Sequence, residues 1–337
     1  MTGSMPLSLT VVDTHTEGMP TRVVLDGLPA LAGSTVGERM ASFVRDHEDL
    51  RRVLTWEPRG APTSYAAILV PPDHPEAQHG VFFAERSGVL PGCGHGTIGV
   101  VRALLDAGLV VPSDGAADVV LQTPSGLVRT SARQQDGDWW VELTNVPSYL
   151  HRRDLAVSVP GVGEVLVDVA FGGNYYAILP AESVGLTLEL DRAAEIARLG
   201  LAVMHAVDAV DLPVHPVNPA LKGCLHTLFT APGTDGVDSA GAVVIYTGAV
   251  DRSPCGTGTS ARMAQLHARG ELPIGQDFVH SSLIGSRFVG RLVAEADIAG
   301  QPAAVPAIRG RAWVTGRGEV VVEDVDPFPG GFLVADR

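Results

Sequence analysis

The sequence predicts an α/β (α+β) protein made of two similar halves, each a curved sheet wrapped around one central helix. Short apolar runs of strand length, separated by Gly, Pro, Asn and Asp, dominate the chain and predict a strand-rich fold. The pattern Cys-Gly-x-Gly-Thr occurs at 93–97 and again at 255–259, about half the chain apart, and each copy precedes a helical pattern. The helix after the first copy has little polar face, so we expect it to be buried nearly all round.

Local patterns place the individual elements. The predicted strands include, in chain order, Leu7–Val12, Ala66–Val70, Trp139–Leu143, Val165–Ala170, Ala242–Tyr246 and Glu319–Val322. The predicted helices are Val36–Phe43, Thr97–Ala107, Arg192–Val207 and Thr257–Arg269. Asp136-Gly137 predicts a tight hairpin turn because Gly accepts a positive φ. The segment 316–318 (Gly-Arg-Gly) is predicted to separate another pair of strands, and the polar loop Ala231–Gly241 to join two strands.

The bulk composition excludes several classes of protein. The chain has 337 residues, of which 45% are hydrophobic and 18% charged, as expected of a globular protein with two domains of ordinary size. The formal net charge of −14, without any basic run, argues against a nucleic-acid partner. We see neither a signal peptide nor an apolar run of membrane-spanning length, and therefore expect a cytoplasmic protein without a membrane partner.

The cysteines and the single lysine restrict the chemistry further. Three cysteines in a long chain argue against a disulfide framework. Lys222 is the only lysine, so it alone could form the Schiff base that pyridoxal phosphate needs, and it lies in a segment with no other cofactor signal. Cys93-x-His95 is one residue too tight for a zinc ligand pair. We therefore expect neither a cofactor nor a metal site.

The repeated motif itself carries a chemical prediction. A cysteine at a helix N-terminus is expected to have a lowered pKa, and the adjacent glycines let backbone amides approach a carboxylate. Two such ends facing one substrate would put Cys93 and Cys255 on opposite sides of its α-carbon, the arrangement that inversion by proton transfer requires. The third cysteine, Cys224, lies in an apolar run and is expected to be an inert core thiol.

Three polar residues near these motifs have two interpretations. His95 follows Cys93 by two residues and Asp251 precedes Cys255 by four, so both are candidates for holding a substrate amine and setting the thiol charges. Each would otherwise be an ordinary turn residue. His15 has either a functional role or a structural role at the end of a strand, and the sequence favours neither.

Several segments resemble the proline racemase family, which includes 4-hydroxyproline epimerases and trans-3-hydroxyproline dehydratases. The segments that carry the resemblance are 13–18, 20–24, 93–99, 171–174, 251–261, 285–288, 310–312 and 326–328. The resemblance implies a diaminopimelate-epimerase-like fold with the active site in the interdomain cleft. It implies one half at 1–150 plus about 317–337 and the other at 151–316.

The same resemblance implies the roles of the site residues. Cys93 and Cys255 would be the acid/base pair, and His95 and Asp251 would contact the substrate nitrogen. The substrate carboxylate would be bound by backbone amides of Gly94, His95, Gly256 and Thr257. The expected partner is a small molecule of the proline or hydroxyproline type, and assembly as a homodimer is left open.

The substrate is ranked from details of the motifs. Cys255 stands where the dehydratases carry threonine, and Gly96 stands where proline racemases favour asparagine, so 4-hydroxyproline is ranked first and proline second. Departures from the family pattern at Met19, Ala61, Gly92 and Ser281 bear on substrate identity. A catalytically silent amino-acid-binding protein is the alternative from another class, and the presence of both cysteines argues against it.

Overall fold

The predicted mixture of many strands and few helices is confirmed by the computed structural model, which describes residues 7–219 and 221–334. The strands are β1 Leu7–Thr16, β2 Met19–Asp26, β3 Ala66–Val70, β4 His79–Glu85, β5 Gly88–Leu90, β6 Ala116–Thr123, β7 Gly126–Gln135, β8 Asp138–Thr144, β9 Tyr149–Val159, β10 Gly163–Phe171, β11 Tyr175–Pro180, β12 Cys224–Pro232, β13 Ser239–Ile245, β14 Asp277–Ser281, β15 Arg287–Ile298 and β16 Gln301–Val322. The α-helices are α1 Val36–Asp46, α2 Glu48–Thr55, α3 Gly94–Asp106, α4 Ala193–Val210 and α5 Gly256–Ala268.

The chain divides into two compact units. The first extends to Leu143 and resumes at Arg311, and the second comprises Thr144–Gly310. The division at 310/311 falls inside β16, so this long strand contributes its first part to the second unit and its last part to the first.

Both units use the same order of elements, which explains the internal sequence repeat. In the first unit, α1 and α2 connect β2 to the parallel strand β3, and α3 connects β4 to the parallel strand β6. In the second unit, α4 connects β11 to the parallel strand β12, and α5 connects β13 to the parallel strand β14. Each Cys-Gly-x-Gly-Thr motif therefore starts the second crossover helix of its unit.

The central helices are buried as the sequence predicts. In α3, Ile98, Val100, Val101, Ala103 and Leu104 are fully buried, and the helix packs against β1, β2 and β3. In the second unit, neighbouring strands follow the order β16-β15-β14-β13-β12-β11-β10-β9. Helix α5 packs against β15 near one end of this order and against β9, β10 and β11 at the other. A bridge between residues 148 and 304 joins these two ends, so the sheet of this unit curves around its helix.

The predicted helices are confirmed to within a few residues at their ends, but α2 was not predicted. Helix α2 begins at Glu48, directly after α1. The start of α1 is fixed by a capping box between Thr35 and Glu38. The eight residues of α2 are too short for a clear helical period, and the helix is held by burying residues such as Leu50 and Leu54. Among the described residues, no helix is both long and apolar enough to span a bilayer.

The turn predictions had mixed outcomes. Asp136 and Gly137 both have positive φ, at 52° and 86°, and join β7 to β8 in the predicted hairpin. The loop predicted at Ala231–Gly241 joins β12 to β13, although the two strands extend into it. The break predicted at 316–318 is wrong, because these residues pair with Asp13, Val12 and Val11 of β1 and β16 continues through them. Tertiary pairing here outweighs the local preference of glycine for turns.

Candidate functional site

Cys93 is positioned by the start of α3 in the first unit. It is the N-cap residue, with extended backbone (φ −156°, ψ 118°), and its Sγ accepts a hydrogen bond of 3.4 Å from the amide of Gly96. The thiol is partly exposed, and the Nδ1 of His95 lies 3.4 Å from it. The sulfur therefore has a backbone donor and an imidazole beside it, and the backbone amide is a donor that can stabilise a thiolate.

His95 is held in place from several sides. Its backbone carbonyl accepts a hydrogen bond of 2.8 Å from the hydroxyl of Thr16, and the ring of Tyr65 packs edge-on at 4.6 Å. A Cβ at Gly96 would lie 2.6 Å from the ring of Phe83, so only glycine lets this helix start approach Phe83. The histidine is thus fixed next to the thiol, as a functional role requires.

Cys255 occupies the corresponding N-cap of α5 in the second unit, but in a different conformation. Its φ is +65° and its ψ is 111°, values that L-residues rarely adopt, and its side chain makes no capping hydrogen bond to the helix. The residue is only 7% exposed. Its Sγ lies 3.2 Å from the phenolic oxygen of Tyr176 and 3.6 Å from the hydroxyl of Thr257.

A short hydrogen-bonded chain supports this strained backbone. The buried carboxylate of Asp251 accepts hydrogen bonds from the amide and the hydroxyl of Ser253, at 2.8 and 2.9 Å. The hydroxyl oxygen of Ser253 in turn accepts from the amide of Cys255 at 3.1 Å. The structure therefore places Asp251 close to Cys255, where it fixes the turn that carries the cysteine.

The expectation of a lowered cysteine pKa is wrong for Cys255. Burial, followed by the negative charge of Asp251, raises the pKa of this thiol to about 12. The sequence could not show that this side chain is buried next to the carboxylate of Asp251. Burial and the Asp251 carboxylate therefore both favour the protonated thiol at Cys255.

The predicted site residues lie in two groups, one in each unit. The first unit brings together Cys93, Gly94 and His95, and the second brings together Asp251, Cys255, Gly256 and Thr257. Sequence reasoning missed the supporting residues Thr16, Phe83, Tyr176 and Ser253. Three of them had a signal in the family resemblance: Thr16 and Ser253 lie inside the segments 13–18 and 251–261, and Tyr176 follows the segment 171–174.

The remaining candidates have structural positions. Cys224 is buried in the core of the second unit, and burial raises its pKa to about 12, as expected of an inert thiol. His15 accepts a hydrogen bond from the amide of Gly18 and stacks on Trp313, which is the structural alternative at a strand end. Lys222 is exposed. Within the described ranges, we find no group of three or more His, Cys, Asp or Glu that could hold a metal ion.

Comparison with known proteins identifies the family. The family model described as "Proline racemase" matches residues 11–333. The chain belongs to the proline racemase family. A 4-hydroxyproline 2-epimerase of Streptosporangium roseum is 52% identical over 96% of this chain and 97% of that protein. A protein of the same name from Shewanella loihica is 40% identical over the same shares of the two chains.

Solved structures agree with the family and the fold. A hydroxyproline epimerase of Agrobacterium vitis, with bound trans-4-hydroxy-L-proline, superimposes with a TM-score of 0.89 at 34% identity, over 98% of this chain and 96% of that one. A PhzF-family phenazine biosynthesis protein of Bacillus anthracis has a TM-score of 0.64 at 15% identity, over 93% and 98% of the chains, and shows the fold alone. The predicted diaminopimelate-epimerase-like fold is confirmed.

Proposed function

We propose that this protein is a 4-hydroxyproline 2-epimerase, an isomerase that inverts the α-carbon of its substrate. The proposal is carried by one observation: relatives of that name match nearly the whole chain at 52% and 40% identity. The positions of both motif cysteines at the N-caps of corresponding helices agree with it. The bound trans-4-hydroxy-L-proline of the Agrobacterium vitis protein supports the same substrate.

The reaction would use Cys93 and Cys255 as a pair of bases on opposite faces of the α-carbon. In one direction a thiolate removes the α-proton and the other cysteine, as a thiol, delivers a proton to the opposite face. The roles exchange in the reverse direction. The partly exposed Cys93 with its amide donor and the buried Cys255 favour thiolate at the first and thiol at the second before substrate binds.

The helix starts supply the groups that would hold the substrate. The first amides of a helix have no partner within the helix, so those of Gly94, His95, Gly256 and Thr257 are suited to bind a carboxylate. The imidazole of His95 and the carboxylate of Asp251 would contact the ring nitrogen. Holding the substrate at both ends fixes its α-carbon relative to the sulfur atoms.

The packing at Gly96 requires the glycine that the hydroxyproline epimerases carry at this position. A side chain at this position would enter the space that the ring of Phe83 occupies, 2.6 Å from the Cβ position. The asparagine that proline racemases favour here would therefore displace Phe83. The local packing suits the glycine of the epimerase pattern.

We also propose that the reaction needs neither pyridoxal phosphate nor a metal. Lys222, the only lysine in the sequence, is exposed and is paired with Val214 at an isolated bridge. The two thiols and the helix amides are sufficient for proton transfer. A cytoplasmic location and assembly as a homodimer stay predictions.

The test is a direct assay of epimerisation. Inversion at C2 alone converts trans-4-hydroxy-L-proline to cis-4-hydroxy-D-proline, which proton NMR distinguishes in one tube. We expect conversion from either isomer to the same equilibrium mixture, with a kcat/KM for hydroxyproline above that for L-proline. A higher kcat/KM for proline would reverse the substrate ranking. Tight binding of hydroxyproline without any conversion would indicate a binding protein instead.

A further inference from the structure

Tyr176 connects two polar side chains near the start of α5, those of Cys255 and Thr257. Its phenolic oxygen lies 3.2 Å from the Sγ of Cys255 and 2.6 Å from the hydroxyl oxygen of Thr257, which is itself 3.6 Å from the sulfur. The tyrosine is fully buried. The three atoms form a closed triangle of hydrogen-bonding groups beside the proposed base.

The ring of Tyr176 is held rigidly. Tyr176 lies opposite His226 in the parallel pair of β11 and β12, and the two rings stack at 4.6 Å with 20° between their planes. Burial lowers the pKa of His226 to about 3, so this neighbour is neutral. A Cβ at Gly258 would lie 3.2 Å from the Tyr176 ring, so the second glycine of the motif leaves the room that the ring requires.

Tyr176 also remains protonated. Burial, followed by the nearby Cys255, raises the pKa of the phenol well above its usual value. The phenol and the Thr257 hydroxyl therefore each keep one proton to donate and lone pairs with which to accept.

These two protons satisfy the cysteine in both of its states. When Cys255 is a thiolate, Thr257 donates to the phenolic oxygen and Tyr176 donates to the sulfur. When Cys255 is a thiol, the thiol donates to the phenolic oxygen and Tyr176 donates to Thr257. Rotation of hydroxyl groups is enough to change between the two arrangements, without water entering the buried site. At Cys93 the hydrogen bond from the Gly96 amide cannot reverse its direction, because a backbone amide can only donate.

We propose that Tyr176 is a positioning residue which, together with the Thr257 hydroxyl, stabilises Cys255 as both thiolate and thiol. The inference rests on the proposed function, in which Cys255 must be a base in one direction and an acid in the other. The donor hydroxyl supplies to the buried thiolate what solvent would supply at an exposed one.

The test compares Tyr176→Phe with Tyr175→Phe. Tyr175 is the adjacent buried tyrosine, and its hydroxyl bonds to that of Tyr149 at 2.7 Å, so the control removes a buried phenol that is not bonded to Cys255. Each protein is treated with a small alkylating reagent, and the rates at Cys255 and Cys93 are read separately by peptide mass spectrometry. Because a hydrogen bond to a charged group is lost, the Cys255-to-Cys93 rate ratio should fall roughly 10- to 100-fold in Tyr176→Phe. In Tyr175→Phe it should stay at the wild-type value.

Turnover provides a second measurement. In Tyr176→Phe we expect kcat to fall by a similar factor while KM stays within about threefold, since the hydroxyl acts on the base and not on the substrate. Thr257→Val should change the alkylation ratio in the same direction, and Thr257→Ser, which keeps the hydroxyl, should restore it. An unchanged ratio in Tyr176→Phe, or an equal fall in Tyr175→Phe, would overturn the inference.

The alkylation measurement does not depend on the substrate or on turnover. If the wild-type protein does not epimerise but the alkylation ratio falls in Tyr176→Phe and not in Tyr175→Phe, the proposed function is contradicted and the role of Tyr176 stands. If the wild-type protein epimerises normally but the alkylation ratio is unchanged in Tyr176→Phe, the proposed function stands and the role of Tyr176 is contradicted.

Discussion

The backbone conformation of Cys255 leads to a prediction about protein stability. At position 255 the glycine variant should be more stable than the alanine variant, and at position 93 the order should be reversed. Cys255 has a φ of +65°, whereas Cys93 has a φ of −156°, which any residue adopts. A side chain in the first conformation costs roughly 1–3 kcal/mol, and glycine avoids this cost. Glycine also loses roughly 0.5–1 kcal/mol relative to alanine through its greater freedom in the unfolded chain. Cys255→Gly should therefore be more stable than Cys255→Ala by about 1 kcal/mol.

At position 93 only the entropy difference remains, so Cys93→Ala should be more stable than Cys93→Gly by roughly 0.5–1 kcal/mol. Urea unfolding followed by circular dichroism measures all four variants, and each comparison is made within one site so that loss of the sulfur cancels. The assay is independent of activity because all four variants lack a proposed base. If alanine is the more stable residue at both positions, the backbone at Cys255 is not strained and the role given to Asp251 and Ser253 is unsupported.

Three further predictions concern activity, cofactors and pH. Cys93→Ala and Cys255→Ala should each lower the rate of epimerisation, measured by proton NMR, by at least about 1,000-fold, while the circular dichroism spectrum stays that of the folded protein. Dialysis against chelator should leave activity unchanged and iodoacetamide should remove it; activity restored by added metal would refute this. The pKa of Asp168 is lowered because hydrogen bonds, above all from Arg269, outweigh its burial, so this carboxylate stabilises the fold at neutral pH and less as pH falls through its folded pKa. Arg269→Met should cost about 3 kcal/mol at pH 7 and clearly less in acid, measured by urea unfolding.

The sequence was sufficient for the features that depend on local pattern. The repeated motif located both cysteines, and the apolar residues after Cys93 predicted a buried helix, which α3 confirms. The hairpin at Asp136-Gly137 followed from turn chemistry alone. In each case a few neighbouring residues determine the conformation.

Features that depend on distant contacts could not be predicted in this way. Tyr176 is far from Cys255 in the chain and reaches it only through the packing of β11 against α5. The positive φ of Cys255 has no sequence signal because glycine, the usual residue for it, is absent from that position. The break wrongly predicted at 316–318 shows the same limit, since pairing with β1 overrides the glycines.

The source of the proton in the product tests the central claim most directly. The wild-type protein is incubated in heavy water with trans-4-hydroxy-L-proline, and early product and remaining substrate are analysed by mass spectrometry and proton NMR. With two cysteines on opposite faces, the delivering thiol has already exchanged with solvent, so early product should carry deuterium at the α-carbon while remaining substrate stays protonated. The same pattern is expected from cis-4-hydroxy-D-proline. Early product that retains the original hydrogen would mean that one base serves both faces, and the two-cysteine account would be wrong.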